Sequence, residues 1–202
     1  MADKQNEPIV VVIGASAGGV EALTKLVGGM PPDIPCALLV ALHMPANAPS
    51  GLARILDRSG PLPAKQAVDG APLEPGTIKV AVPNRHLTLR DHRIALSEEP
   101  AENGHRPAID VLFRSVAIDY GHRAIGVLLS GVLDDGVRGL AAIRSHGGTT
   151  VAQTPSDAWF ADLPLSAIHA GVVDHQATAA EMGELLSRLA NQEHSELQDN
   201  RG

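Results

Sequence analysis

The sequence predicts an α/β fold: a doubly wound, mostly parallel sheet flanked by helices, with a β-hairpin addition. Three observations predict it. Runs of Val, Ile, Leu and Ala long enough for strands buried on both faces recur along the chain. Helical patterns alternate with them, which favours helices layered on a parallel sheet. Aromatic residues make up only 2% of the 202 residues, so aliphatic side chains must build the core.

The elements follow in order. Residues 1–8 read as a polar lead-in. Ile9-Val-Val-Val-Ile13 is a continuous β-branched run and predicts the first buried strand. Gly14-Ala-Ser-Ala-Gly-Gly19 breaks it, and 20–27 reads as a helix stopped by Gly28 and Gly29. Residues 37–42 predict a second buried strand, ending at His43-Met-Pro45 and followed by a helix over about 50–58. A further strand is expected at 77–82. Residues 86–90 and 93–96 alternate as a hairpin turning at Asp91 and His92. A polar loop, 97–107, precedes a helix at 109–120. The third long buried strand, 124–130, runs into Gly131-Val-Leu-Asp-Asp-Gly136. A helix to about His146, a strand at 149–153, a short helix at 164–169, a short strand at Val172 and Val173, and a helix at 178–189 complete the pattern. Residues 191–202 are polar and charged and read as a disordered tail. No internal repeat or flexible linker divides the chain, so one domain over 9–190 is expected.

A formal net charge of −7 and the lack of clustered Lys, Arg and stacking aromatics exclude a nucleic-acid partner. The single cysteine, Cys36, cannot form an internal disulfide, which suits a reducing compartment. The apolar stretch at 8–20 is too short to span a bilayer and soon meets Glu21 and Lys25. The lead-in carries Asp3 and Glu7 rather than a basic cluster, which argues against a signal peptide. The expectation is a cytoplasmic protein that is not membrane-inserted. The histidines make no zinc pattern, so neither metal nor cofactor is expected.

Ligands and reactive groups gather at the carboxyl ends of parallel strands. Three of the expected strands end near Ser16, His43 and Asp135. Gly14-Ala-Ser16-Ala-Gly18 satisfies the G-x-S-x-G pattern of a nucleophile turn between strand and helix. The same turn could cradle a phosphate or simply be tight. The dinucleotide fingerprint lacks its second glycine, because Ser16 stands there, and the second strand ends in His43 rather than an acidic residue. A serine nucleophile needs a base within hydrogen-bond reach, and His43 is placed to supply it. Asp134 and Asp135 both lie where a strand passes into a helix. Either could cap that helix or orient the histidine, and local pattern does not choose between them.

Four spaced motifs carry a family resemblance: Ile13-Gly-Ala-Ser-Ala-Gly-Gly-Val-Glu-Ala22, His43-Met-Pro45, Arg106-Pro-Ala-Ile-Asp-Val-Leu-Phe113 and Leu129-Ser-Gly-Val-Leu-Asp-Asp-Gly136. Together, from about Ile9 to Leu189, the chain resembles CheB-type protein-glutamate methylesterases. The resemblance implies a Ser–His–Asp triad in which Ser16 is the nucleophile, His43 the general base and acid, and Asp135 the orienting carboxylate. It further implies that the Val132 N–H serves the oxyanion and that Arg106 binds the substrate segment, although Arg106 also reads as a surface charge flanking a helix. The implied reaction hydrolyses glutamate γ-methyl esters on the cytoplasmic helices of methyl-accepting chemotaxis receptors to glutamate and methanol. Some members also deamidate receptor glutamines.

Three departures from the family pattern stand out. Ala17 replaces the usual hydroxyl residue after the nucleophile, and Gly-Val-Leu-Asp-Asp-Gly replaces the usual Gly-Met-Gly-x-Asp-Gly. Only a short polar segment precedes the first strand, so a stand-alone esterase without an attached receiver domain is expected. The competing expectations are the same chemistry on another ester, a non-catalytic receptor-docking module of the same fold, and, weakest, a nucleotide-binding domain.

Overall fold

A computed structural model describes residues 8–45 and 51–199; the lead-in up to residue 7, the loop at 46–50 and tail residues 200–202 lie outside the described residues. Strand β1 (Ile9–Ala15) is buried along its whole length and leads into helix α1 (Gly19–Gly28). Strand β2 (Cys36–Leu42), equally buried, is followed by α2 (Leu52–Ser59), β3 (Ala64–Gln66) and β4 (Ile78–Val80). The hairpin β5 (His86–Arg90) and β6 (Arg93–Ser97) forms a separate antiparallel pair with Arg90 opposite Arg93. Helix α3 (Ile109–Tyr120), β7 (Ala124–Leu128), α4 (Val137–Ser145) and β8 (Thr149–Gln153) come next. Helix α5 (Asp162–His169), β9 (His175–Ala177) and α6 (Ala179–Asp199) close the chain.

Seven strands pair in the order β3-β4-β2-β1-β7-β8-β9, every pair parallel. Side chains alternate across this sheet. Ile9, Val11 and Ile13 pack on one face with Leu23, Leu26, Leu56, Met182 and Leu186, from α1, α2 and α6. Val10 and Val12 pack on the other with Ile109, Leu112, Phe113, Leu140 and Ile143, from α3 and α4, and with Leu87, Leu89 and Ile94 of the hairpin. Both faces are covered, which explains why the central strands read as unbroken apolar runs rather than alternating ones. The strand after β1 pairs on one side of it and β7 on the other, with α1 and α4 on opposite faces. The crevice of the doubly wound sheet therefore opens at the carboxyl ends of β1 and β7.

Three details differ from the sequence expectation. β3 was not anticipated: only Ala64 of its three residues is buried, so it carries no apolar run. The last strand is His175–Ala177 rather than Val172 and Val173. Those two valines are half-buried and pack against the α3–α4 side of the core, while pairing with β8 falls on the more polar segment after them. Helix α6 continues to Asp199, so residues 191–199, expected as disordered tail, are helical. Glu and Gln are the commonest residues of that stretch and tolerate helix well, and the Asn191 side-chain amide donates to the Ser187 carbonyl at 2.8 Å one turn back.

Candidate active site

In the β1–β2 register Ala15 pairs with Leu42, so the next residue on each strand, Ser16 and His43, emerge side by side. The His43 N–H donates to the Ala15 carbonyl at 3.2 Å, extending the ladder to the point where both strands end. Gly18 has φ of 72°, a left-handed conformation that lets the chain turn directly from Ser16 into α1. The β7 side approaches closely: the Ser16 N–H donates to the Ser130 carbonyl at 3.0 Å, and a Cβ on Gly131 would meet the Ser16 Cβ at 3.0 Å. Glycine at 131 is thus the residue that lets this loop lie against the serine.

Ser16 Oγ lies 3.1 Å from His43 Nδ1, and His43 Nε2 lies 2.6 Å from Asp135 Oδ2. The His43 and Asp135 side chains are nearly closed to solvent, 8% and 3% exposed. An ionised carboxylate only accepts, so the neutral imidazole carries its proton on Nε2 and turns the Nδ1 lone pair toward the serine hydroxyl. That is the protonation state a base needs to take the Ser16 proton.

Burial opposes ionisation of Asp135, but four hydrogen bonds outweigh it. His43 Nε2, the Ile109 N–H at 2.8 Å, the Asp110 N–H at 3.1 Å and Asn103 Nδ2 at 3.0 Å all donate to its oxygens. Together they hold the carboxyl below its usual range. The structure separates the two neighbouring aspartates: Asp135 meets His43, while Asp134 is exposed and its carbonyl accepts the Val137 N–H at 3.0 Å.

Asn103, His105 and Asp110 carry parts of the site that the sequence reading left without a role. The Asn103 side-chain amide bridges Asp135 Oδ1 and Asp110 Oδ2, at 3.0 and 3.1 Å. Asp110 is buried, and its Oδ1 accepts the N–H groups of Gly136 and Gly139 at 2.9 and 2.7 Å, pinning the start of α4 just after Asp135. Burial pushes the Asp110 carboxyl above its usual value, with the nearby Asp135 adding to it against those backbone donors. The His105 ring stacks on the His43 ring, centroids 3.5 Å apart and planes within 9°. Burial and the neighbouring His43 push His105 below the usual histidine value. The turn dipeptide Asn103-Gly104 and the place of His105 directly before the Arg106 motif were the available signals.

Beside His43 a cleft of about 510 Å³ is lined by Met44, Pro45, Asn84, His105 and Arg106. Arg106 Nε and Nη2 donate to Asn84 Oδ1 at 3.0 and 2.6 Å, and Nη1 donates to the Glu98 and Glu99 carbonyls at 2.8 and 2.9 Å. Arg106 thus braces the cleft wall while lining it. Val132, half-buried, follows Gly131 in the loop that touches Ser16. Among the described residues no cluster of His, Cys, Asp or Glu could hold a metal ion.

This arrangement is that of a serine activated by a histidine and carboxylate, suited to acyl transfer. The model of the CheB methylesterase family matches residues 11–186. A protein-glutamate methylesterase/protein-glutamine glutaminase of Myxococcus xanthus is 37% identical over 183 residues, covering 89% of this chain and 53% of that protein. One from Anaeromyxobacter dehalogenans is 42% identical over 167 residues, covering 82% of this chain and 49% of the relative. The chain therefore spans about half the length of these curated relatives. The crystal structure of the Thermotoga maritima CheB methylesterase catalytic domain superposes with a TM-score of 0.86 at 30% identity, covering 91% of this chain and 99% of that one. On the matched family model, the relatives and the shared fold, this chain belongs to the CheB methylesterase family.

Proposed function

We propose that the chain is a serine esterase that hydrolyses glutamate γ-methyl esters on methyl-accepting chemotaxis receptors, releasing glutamate and methanol. The observation that carries this reading is the hydrogen-bonded series Ser16–His43–Asp135, at 3.1 and 2.6 Å, at the carboxyl ends of the central strands. Ser16 Oγ attacks the ester carbonyl carbon while His43 Nδ1 takes the hydroxyl proton. Asp135 stays ionised and stabilises the imidazolium. The tetrahedral intermediate collapses, and His43 returns the proton to the departing methoxide as methanol leaves. Water then adds to the acyl-serine with His43 again as base, and glutamate and free Ser16 are released.

The developing oxyanion needs backbone donors. The Ser16 N–H is committed to the Ser130 carbonyl, and Ala17 offers no side-chain hydroxyl. The Val132 N–H, next in the loop after Gly131, is the proposed donor. Four of the five Arg106 N–H groups are committed to the cleft wall, and the remaining Nη2 hydrogen is the one assigned to the substrate segment. The relatives' names pair the esterase with a glutaminase. The same steps with ammonia as leaving group describe deamidation, so receptor glutamines are proposed as second substrates. The partners are thus the cytoplasmic helices of chemoreceptors, and the expected compartment is the cytoplasm. No helix among the described residues is long and apolar enough to cross a membrane.

The deciding experiment measures methanol release from methylated chemoreceptor membranes. Wild type releases it, and Ser16→Ala lowers the rate by at least about four orders of magnitude. Release that survives in Ser16→Ala overturns the nucleophile, and no release from wild type overturns the substrate.

A further inference from the structure

The pairing of β1 with β7 runs on past the ends of both strands until it reaches the nucleophile. Leu128 is the last β7 partner of β1, opposite Gly14. Beyond it the Leu129 N–H donates to the Gly14 carbonyl at 2.9 Å, and the Ser16 N–H donates to the Ser130 carbonyl at 3.0 Å. Ser130 is 1% exposed, and each of its polar groups has a partner. Its N–H donates to Gln153 Oε1 at 2.8 Å. Its hydroxyl hydrogen goes to the Ala17 carbonyl at 2.8 Å rather than to the Phe160 carbonyl at 3.4 Å, and the hydroxyl oxygen accepts the Phe160 N–H at 3.0 Å. Gly18 makes room for it: a Cβ there would lie 2.6 Å from Ser130 Oγ.

Gln153, the last residue of β8 and buried, is itself held. Its Nε2 donates to Asp157 Oδ2 at 2.8 Å, and the same oxygen accepts the Ala179 N–H at 2.8 Å, at the start of α6. The residue after Ser130 is pinned as well: the Gly131 N–H donates to the Phe160 carbonyl and its own carbonyl accepts the Leu163 N–H, both at 3.0 Å. Three segments therefore meet at Ser130: the nucleophile turn at 16–18, the loop at 131–133 with the Val132 N–H, and the segment at 160–163. Filling space here needs no hydroxyl, and burying one costs free energy unless its bonds are made.

We propose that Ser130 is a positioning residue of the reaction: it fixes the gap between the Ser16 nucleophile and the oxyanion loop, with Gln153 holding it from behind. The inference rests on the esterase reading above. An oxyanion donor works only within about 2.7–3.1 Å of the place where charge develops, and a shift of about 1 Å costs on the order of a hundredfold in rate. Ser130 controls that spacing from both sides, because its carbonyl and hydroxyl hold Ser16 and Ala17 while its own backbone leads directly into Gly131 and Val132. The cleft beside His43 is lined by other residues, Met44, Asn84, His105 and Arg106 among them. Seating the substrate segment and stabilising the tetrahedral intermediate are thus separable, and Ser130 serves the second.

Kinetics and a mimic of the tetrahedral adduct test this. The substrate is a helical peptide with one glutamate γ-methyl ester. The mimic is the same peptide with a boronic acid in place of the ester group. Ser16 Oγ adds to the boron while His43 takes its proton, leaving a tetrahedral anion with one hydroxyl where the oxyanion forms. Ser130→Ala is expected to lower kcat at least about tenfold and to leave KM within about threefold of wild type. Its affinity for the boronate falls by the same factor as kcat/KM, while the product peptide, with free glutamate, binds as it does to wild type. Gln153→Met removes the acceptor behind the Ser130 N–H; it gives the same pattern with a smaller effect, and it carries the test if Ser130→Ala does not fold. A KM that rises with kcat unchanged, equal weakening of boronate and product peptide, or wild-type kinetics in both variants overturns the positioning role and leaves the esterase standing. A wild type that binds the boronate but releases no methanol from the peptide or from receptor membranes overturns the esterase reading, and the boronate affinities of the variants then decide the role of Ser130 alone.

Discussion

Ser16 and His43 stand at the ends of β1 and β2, strands buried along their whole length, and their neighbourhood follows from one pair in the sheet register. Asn103, His105 and Arg106 stand on a loop whose anchors are almost all polar. His86, itself buried, closes the neck of that loop, its Nε2 donating to the Pro100 carbonyl and its Nδ1 accepting the Ala108 N–H. The Arg106 guanidinium and a two-pronged Glu102–Arg114 pair, both bonds 2.7 Å, hold the rest. Hydrophobic burial therefore locates Ser16 and His43, while hydrogen bonds from a polar loop orient the imidazole ring and the Asp135 carboxylate. The first kind of placement is rigid because a whole sheet would have to move to change it. The second is a set of separable contacts, each removable alone.

On that division, substitutions within the Ser16–His43–Asp135 series cost far more activity than substitutions in the loop that supports it. The sharpest case is Asp135→Asn. The amide fits the space but can present an N–H to His43 Nε2, favouring the tautomer with Nδ1 protonated and unable to accept the serine proton. Methanol release is expected to fall by about ten-thousand-fold, with the fold intact by circular dichroism. A loss of only tenfold would place Asp135 with the loop contacts instead.

Asn103→Gly is the intermediate case. Asn103 has φ of 53°, so glycine removes the side chain without straining the backbone. Asp135 loses one of its four donors, its carboxyl rises toward the ordinary range, and the rate falls about tenfold. The stability effect has a definite sign. Asp135 is held low in the folded protein, so its contribution is complete above the ordinary aspartate value and lost as pH falls through the lower folded value. The variant is therefore less stable at neutral pH, and its gap from wild type closes as pH drops through the aspartate range. A gap that persists in acid would show that Asn103 acts on packing rather than on the charge of Asp135.

Glu102→Gln gives the smallest effect. The Glu102–Arg114 pair is roughly a third exposed on both sides, so its loss should cost less than about 1 kcal/mol in thermal or denaturant unfolding. A loss of several kcal/mol would mean that the loop and the sheet form one cooperative unit.

The same contrast explains what the sequence made legible. β1, β2 and β7 announced themselves as apolar runs, and residues that close such runs, Ser16 and His43 among them, could be located by counting to the end of each run. Asp135 lies seven residues beyond β7, and choosing it over Asp134 took the family resemblance rather than local pattern. The loop residues had no periodicity to betray them. Asn103 meets Asp135 across 32 positions, and the His105 ring stacks on that of His43 from a loop far along the chain, contacts that only the folded chain creates. Asp110 was inside a recognised motif, yet nothing in one dimension says that its carboxylate reaches Gly136 and Gly139. Edge strands were hard for a related reason: β3 and β9 contribute one buried residue each, too few for a pattern.

The orientation of the His43 ring has a chemical consequence of its own. Nε2 is closed off against Asp135, and the nitrogen that faces the reacting centre is Nδ1. A substrate-shaped alkylating inhibitor, such as a halomethyl ketone built on a glutamate side chain, would accordingly carry its label to Nδ1. Inhibitors for this site should be drawn with the electrophile aimed at the nitrogen nearer the main chain, a geometry that places the warhead closer to the strand ends than a probe designed for Nε2.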